Sequence, residues 1–310
     1  MMKKHQYHLM IACAGALWGM ISIFFKFLSA AGLDKIQVVV LRFGFAAVLL
    51  CFWLAVRNPQ ALRLRRPWHL LYFIGTGIAS QACFNLCYYA AIERAGVAVA
   101  ALLLYTAPAF VILFSRLLFG ERVTKGKAIA LILTMAGCAC MTGICSGGIS
   151  VSPLAFLYGL GSGIGYALYS IFGKFALRDY PPETVTVYSF IFAALGMLPL
   201  AHPAGLLTAL AKPAVLLGST GLALICTVLP YLLYTAGLTH TDAGQASILA
   251  TVEPVVAALI GFFAFREAAT LDKLAGILLI LTAIILAGLP PRTGHPSTGA
   301  TGHKCQKPGN

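Results

Sequence analysis

Two stretches decide the fold: residues 97–127, VAVAALLLYTAPAFVILFSRLLFGERVTKGK, and residues 243–273, AGQASILATVEPVVAALIGFFAFREAATLDK. Each is a long apolar run with a proline inside it, and each has a glutamate thirteen positions after that proline: Pro108 and Glu121, Pro254 and Glu267. Laying 97–137 on 243–283, a shift of 146, needs no gap. Nine of the 41 positions are identical: Ala100/Ala246, Leu103/Leu249, Pro108/Pro254, Leu113/Leu259, Phe119/Phe265, Glu121/Glu267, Thr124/Thr270, Lys127/Lys273 and Leu133/Leu279. Apolar composition supplies chance leucine and alanine matches, but not the shared proline-to-glutamate spacing.

Working outward, a shift of 148 pairs Gly15, Ser22, Ile23, Phe24, Lys26 and Phe27 with Gly163, Ser170, Ile171, Phe172, Lys174 and Phe175, and sets Trp18 on Tyr166. Apolar runs fall at about 9–28, 36–56, 69–91, 97–119, 127–145, 153–177, 184–201, 214–238, 244–265 and 271–289, joined by short connectors such as Arg57-Asn58-Pro59 and Asp179-Tyr180-Pro181-Pro182. Runs of about 20 residues match a hydrocarbon core about 30 Å thick. Without period-2 alternation they read as helices, not barrel strands. The expected fold is all-α and integral to the membrane, with ten transmembrane helices in two five-helix inverted repeats. An odd number of spans per half forces the second half into the opposite orientation. The expected divisions are 1–146, 147–289 and a disordered cytoplasmic tail at 290–310.

Composition agrees. Only 10% of the 310 residues are charged, 60% are apolar and the mean hydropathy is +0.88, whereas a soluble domain carries about 25% charged residues. The net charge of +13 sits in short loops instead of along a soluble face, which argues against nucleic acid as a partner. With the N-terminus inside, thirteen Lys and Arg fall in cytoplasmic loops and tails and five outside, so both termini are expected in the cytoplasm of a bacterial-type inner membrane. Lys3, Lys4 and Ser29-Ala30-Ala31 have features of a cleaved leader, but the run is long, contains Lys26 and has an internal counterpart. The nine cysteines lack metal-site spacing and do not read as a disulfide framework.

Inverted repeats are typical of secondary transporters, with the substrate near the midplane between halves. Some channels share the symmetry. Pro108 with Glu121, Glu253-Pro254 with Arg266-Glu267, Leu41-Arg42-Phe43 and Trp18-Gly19 resemble the signature of the EamA-type drug/metabolite transporter family, over about residues 7–289. The resemblance implies ten helices, alternating access and, for bacterial members, export of amino acids and other small metabolites. One departure is Arg42, whose counterpart near Phe190 or Ile191 is apolar.

Ionisable groups inside a bilayer are costly and need a reason. Glu253, the one carboxylate deep in a span, is either a proton-coupling or substrate-binding acid, or a carboxyl bonded to backbone freed by Pro254. Arg42 needs an acid, carbonyls or a substrate carboxylate, with Glu253 one available partner. Lys26 and Lys174 lie nearer helix ends and can also reach the interface. Polar and aromatic stripes at helical spacing mark one face of several helices: Trp18, Ser22 and Lys26; Gln81, Asn85 and Tyr88; Ser162, Tyr166 and Tyr169; Thr227, Tyr231 and Tyr234. Together with Tyr105 they are candidates to line a cavity for an amphipathic solute, against the plainer reading of interhelical hydrogen bonds. Pro108 and Pro254 are candidate hinges.

The function expected is that of a carrier, with a channel or passive facilitator as the alternative. An intramembrane enzyme would need a nucleophile, a phosphate loop or a metal cluster, and the sequence has no Walker motif, no metal-spaced histidines and no Gly-x-Ser-x-Gly. No cofactor or metal is expected beyond possible coupling to protons. The partners expected are a small-molecule substrate and membrane lipid. Substrate identity and oligomeric state are left open.

Overall fold

The computed structural model describes residues 4–143 and 151–289. The tail expected to be disordered, 290–310, lies outside them. The described residues form helices and turns with no strand. Eight helical runs are long and apolar enough to cross a membrane: α1 (His5–Ala30), α2 (Lys35–Arg57), α3 (Pro67–Leu104), α6 (Pro153–Ala176), α7 (Pro182–Leu200), α8 (Pro213–His240), α9 (Ala243–Ala264) and α10 (Leu271–Gly288). Between α3 and α6 lie the shorter α4 (Ala107–Phe119) and α5 (Lys125–Met141). A short helix, Pro203–Leu210, precedes α8.

The starts of these helices follow from side chains that replace missing backbone partners. Asp34 accepts from the Gln37 N–H at 2.8 Å, and Gln37 reaches back to the Asp34 N–H at 3.1 Å, a reciprocal cap for α2. Thr124 accepts from the Lys127 N–H at 3.2 Å and Thr270 from the Lys273 N–H at 3.4 Å, so α5 and α10 begin in the same way. Within α3, Gly96 adopts φ +82° and interrupts the helix. A side chain there would strain the backbone.

The described residues expose large apolar side chains and bury a set of hydroxyls within an otherwise apolar core. Phe52 is 71% exposed, Leu217 77% and Phe263 84%, while Thr76, Ser162, Ser189, Thr227 and Thr235 are fully buried. Water would drive the reverse arrangement, but hydrocarbon accepts the apolar belt and the inward hydroxyls pair across helices or with their own turns. Tyr169 and Thr235 hydroxyls meet at 2.8 Å, and Ser189 donates to Thr76 at 2.7 Å.

Extensive packing joins α3 with α6 and α7, α1 with α8 and α9, α2 with α7 and α8, α5 with α10, and α4 with α6 and α9. Each joins a helix before residue 147 to one after it. Two segments depart from α-helical winding: Gly75–Ala82 in α3 and Leu224–Val228 in α8 are π-helical.

Candidate functional site

The site forms where two helices break. α9 stops at Leu249 and restarts at Val252, with Ala250 and Thr251 in a turn; α3 likewise stops at Leu104 and α4 begins at Ala107. Pro108 and Pro254 lie shortly after these breaks. Each lacks an N–H and cannot satisfy the carbonyl four residues before it. Hydroxyls bond other carbonyls at the breaks: Thr106 donates to Leu103 C=O and Thr251 to Ile248 C=O, both at 2.6 Å, while the Glu253 N–H meets Ala250 C=O at 3.0 Å. The sequence marked the two prolines as candidate hinges, and the helix is interrupted just ahead of each one.

Glycines admit other helices to these breaks. A Cβ added at Gly15 would lie 2.4 Å from the Ala250 carbonyl oxygen, and one at Gly163 would lie 2.7 Å from Thr106 Oγ1 and 3.0 Å from the Leu103 carbonyl oxygen. Thus α1 rests on the α9 break and α6 on the α3–α4 break.

Tyr105, Pro108, Tyr166, Ser247, Thr251 and Glu253 line a cavity of about 10 Å³ between the two breaks, room for roughly one water molecule. Tyr166 donates to Glu253 Oε2 at 3.1 Å, so α6 and α9 meet across it. A second group of candidates adjoins it: the Trp18 ring lies 6.4 Å from Tyr166, 5.1 Å from Tyr231 and 5.4 Å from Tyr234, and Tyr169 lies 5.0 Å from Tyr231. Trp18 Nε1 is buried with no hydrogen-bond partner among the described residues.

Of the partners the sequence offered, Arg42 takes a backbone carbonyl and not Glu253, and it adds a hydroxyl. Its Nε donates to Thr227 Oγ1 at 2.9 Å and a terminal N–H to Cys226 C=O at 3.3 Å; the ion pairs among the described residues do not join it to Glu253. Pro230 lacks the N–H that would meet the Cys226 carbonyl in an α-helix, and Arg42 uses that carbonyl, which lies in the π-helical stretch Leu224–Val228. Gln81 lies in the matching π-helical stretch of α3, and Asn85 donates to its carbonyl at 2.8 Å. Tyr88 stacks beside Phe84 at 5.9 Å, and Phe84 touches Tyr166 at 5.7 Å.

Lys26 and Lys174 lie at helix ends, outside the cavity wall. Lys174 Nζ donates to Glu121 Oε1 at 2.5 Å and to Thr241 C=O at 3.2 Å. Glu121 also accepts from the N–H groups of Ala243 at 2.9 Å and Gly244 at 3.3 Å, a carboxylate on the positive end of α9. Beside it Lys127 pairs with Asp242 at 2.7 Å. Lys26 instead rests over the Phe265 ring, 4.1 Å from its centroid.

The structure therefore joins Glu253, Tyr105, Tyr166 and Pro108 at one cavity, gathers Trp18, Tyr169, Tyr231 and Tyr234 beside it, and separates the two lysines from both. Sequence reasoning did not place Glu121 and Glu267 among the site residues, although their matched positions were a visible signal. It named Thr227 in a polar stripe but not as the partner of Arg42, and it missed the two π-helical stretches.

The EamA-like transporter family matches residues 5–143 and again 153–289. An "uncharacterized transporter" of Archaeoglobus fulgidus is 32% identical over 89% of this chain and 94% of its own length. The threonine/homoserine exporter RhtA of Escherichia coli is 28% identical over 81% of this chain and 80% of its own, and the aromatic amino acid exporter YddG of Ancylobacter novellus is 26% identical over 73% and 76%. One solved crystal structure, 20% identical, superposes with a TM-score of 0.75 over 92% of this chain and 97% of its own, a likeness of fold. These relatives are transporters, not enzymes. Two family matches and the belt of apolar helices make this chain a multi-pass membrane protein that belongs to the EamA-like transporter family.

Proposed function

We propose that the chain is a secondary transporter that exports amino acids or related amphipathic solutes by alternating access between two inverted five-helix halves, 1–146 and 147–289. The observation that carries this reading is the contact of Tyr166 with Glu253 at the paired helix breaks. Discontinuous helices at a midplane site between repeats are how many carriers hold their solutes. In this reading Gly96 divides Pro67–Leu104 into a third span and the start of a fourth, which gives ten spans in all. The shared caps at Thr124 and Thr270, the paired breaks and the glycine seats at Gly15 and Gly163 support the duplication. Both termini then face the cytoplasm of a bacterial-type inner membrane.

Glu253 is the coupling acid, protonated and released once per cycle. Trp18, Tyr166, Tyr231 and Tyr234 offer aromatic faces and hydroxyls to the solute, and the unpaired Trp18 Nε1 is a donor that a solute can use; leaving it unmet costs about 1–3 kcal/mol. Arg42 holds the unwound part of α8. Gln81, Asn85, Tyr88, Tyr105 and Tyr169 shape the wall, and the breaks at Pro108 and Pro254 bend. A cavity the size of one water is the closed form of such a site; solute binding requires it to widen. The names of RhtA and YddG support amino-acid-like cargo and leave its identity open.

The deciding experiment compares metabolites in culture medium from cells with and without the protein, then measures counterflow of the strongest hit in proteoliposomes. Saturable exchange of labelled for unlabelled solute is expected. Flux that never saturates and shows no exchange would replace the carrier with a channel.

A further inference from the structure

Glu121 and Glu267, 146 positions apart, sit in the same backbone setting. Each follows a left-handed residue, Gly120 at φ 68° and Arg266 at φ 56°. The Glu121 N–H donates to Ser115 C=O at 3.3 Å, and the Glu267 N–H donates to Gly261 C=O, the matching residue, at 2.9 Å. Two residues before each glutamate is a phenylalanine under a lysine: Lys174 Nζ lies 5.8 Å from the Phe119 ring, Lys26 Nζ 4.1 Å from that of Phe265.

The settings part only at the carboxylates. The Glu121 side chain is 9% exposed and holds Lys174 and the two N–H groups that start α9. The Glu267 side chain is 51% exposed and turns to Lys273 at 2.9 Å. By position, the counterparts of Ala243 and Gly244 are Val97 and Ala98, the first residues after the Gly96 break. The counterpart of Thr241, whose carbonyl receives Lys174, is Ala95.

We infer that Lys26 and Glu267 are the unformed twin of the Lys174–Glu121 gate: in the opposite access state Lys26 pairs with Glu267, and that carboxylate caps the N–H groups of Val97 and Ala98. This rests on the carrier reading above and assigns it two further transport residues. A lysine kept only to orient helices needs neither a phenylalanine seat nor an acid at the matched place. The two gates must not open together, since that would leave a continuous path through the site. Lys273 holds Glu267 while the outer mouth is open and releases it as α1 and the start of the fourth span approach.

The test follows one thiol on the cavity wall, Ser247→Cys, in full-length protein whose native cysteines are replaced by serine. A membrane-impermeant maleimide is applied to intact cells and to inverted vesicles. Lys174→Ala should move labelling towards the Glu121 face. Lys26→Ala and Glu267→Gln should move it towards the opposite face by about five-fold or more, the lower range of a coupling between two states. The exchange Lys26→Glu with Glu267→Lys should restore the starting ratio, which a general folding defect would not do. If Lys174→Ala shifts labelling while Lys26→Ala, Glu267→Gln and the exchanged pair do not, the second gate is overturned and the carrier reading stands. Equal labelling from both faces in every variant would overturn both.

Discussion

Glu253 has a single side-chain donor among the described residues, Tyr166. Replacing that phenol by Tyr166→Phe removes one charge-assisted hydrogen bond, worth about 1.5–3 kcal/mol, and should slow counterflow by about ten- to a hundred-fold with little loss of folded protein. Glu253→Gln keeps the shape and removes the titrating group. Export by this variant should lose its dependence on pH, measured in vesicles over a range of pH; normal rate with normal pH dependence would end the coupling role. Glu253 was legible in the sequence because a carboxylate in a span is conspicuous. The partner of Arg42 was not, because Thr227 lies 185 residues away and depends on π-helical winding. Arg42→Leu should leave the carbonyl of Cys226 unmet and destabilise the protein by about 1–3 kcal/mol, seen as a lower melting temperature in detergent.

At the scale of helices, the breaks depend on close approach as much as on proline. A side chain at Gly15 would meet the Ala250 carbonyl, so Gly15→Val should reduce folded yield, with overpacking costing about 1–3 kcal/mol; size-exclusion chromatography of detergent extracts measures it. Pro254→Ala supplies the missing N–H and should let α9 run through Ala250 and Thr251. If transport is unchanged in that variant, the break is not a hinge. The sequence located the helices well, because spans of about 20 apolar residues are set by bilayer thickness. It located the breaks to within a few residues but not their form, since a proline tells where a hydrogen bond is lost but not how the turn around it closes. Gly96 carried its meaning in φ alone, which composition does not reveal.

Across the whole molecule, the packing of α1 with α8 repeats that of α6 with α3, while α2 with α7, α4 with α9 and α5 with α10 pair counterpart with counterpart. The duplication in the sequence pointed to this arrangement because residues matched at fixed offsets must occupy like places. What it did not announce is where the likeness stops. Asp242 binds Lys127 at 2.7 Å, but the position matching Asp242 is Gly96, which can hold no lysine. In the carrier proposed above, one mouth would thus be held by an ion pair that has no counterpart at the other.

That single missing carboxylate has a kinetic meaning. A carrier whose empty form prefers one posture returns slowly from it. Net flux leaving the Glu121 face must reopen the tighter mouth on every cycle, so where that return limits turnover its maximum rate falls below that of flux in reverse. With no gradient of solute or coupling ion, net flux must vanish, which fixes the ratio of maximum rate to KM as equal for the two directions. The slower direction therefore has the lower KM by the same factor, and Asp242→Gly should bring the two KM values together.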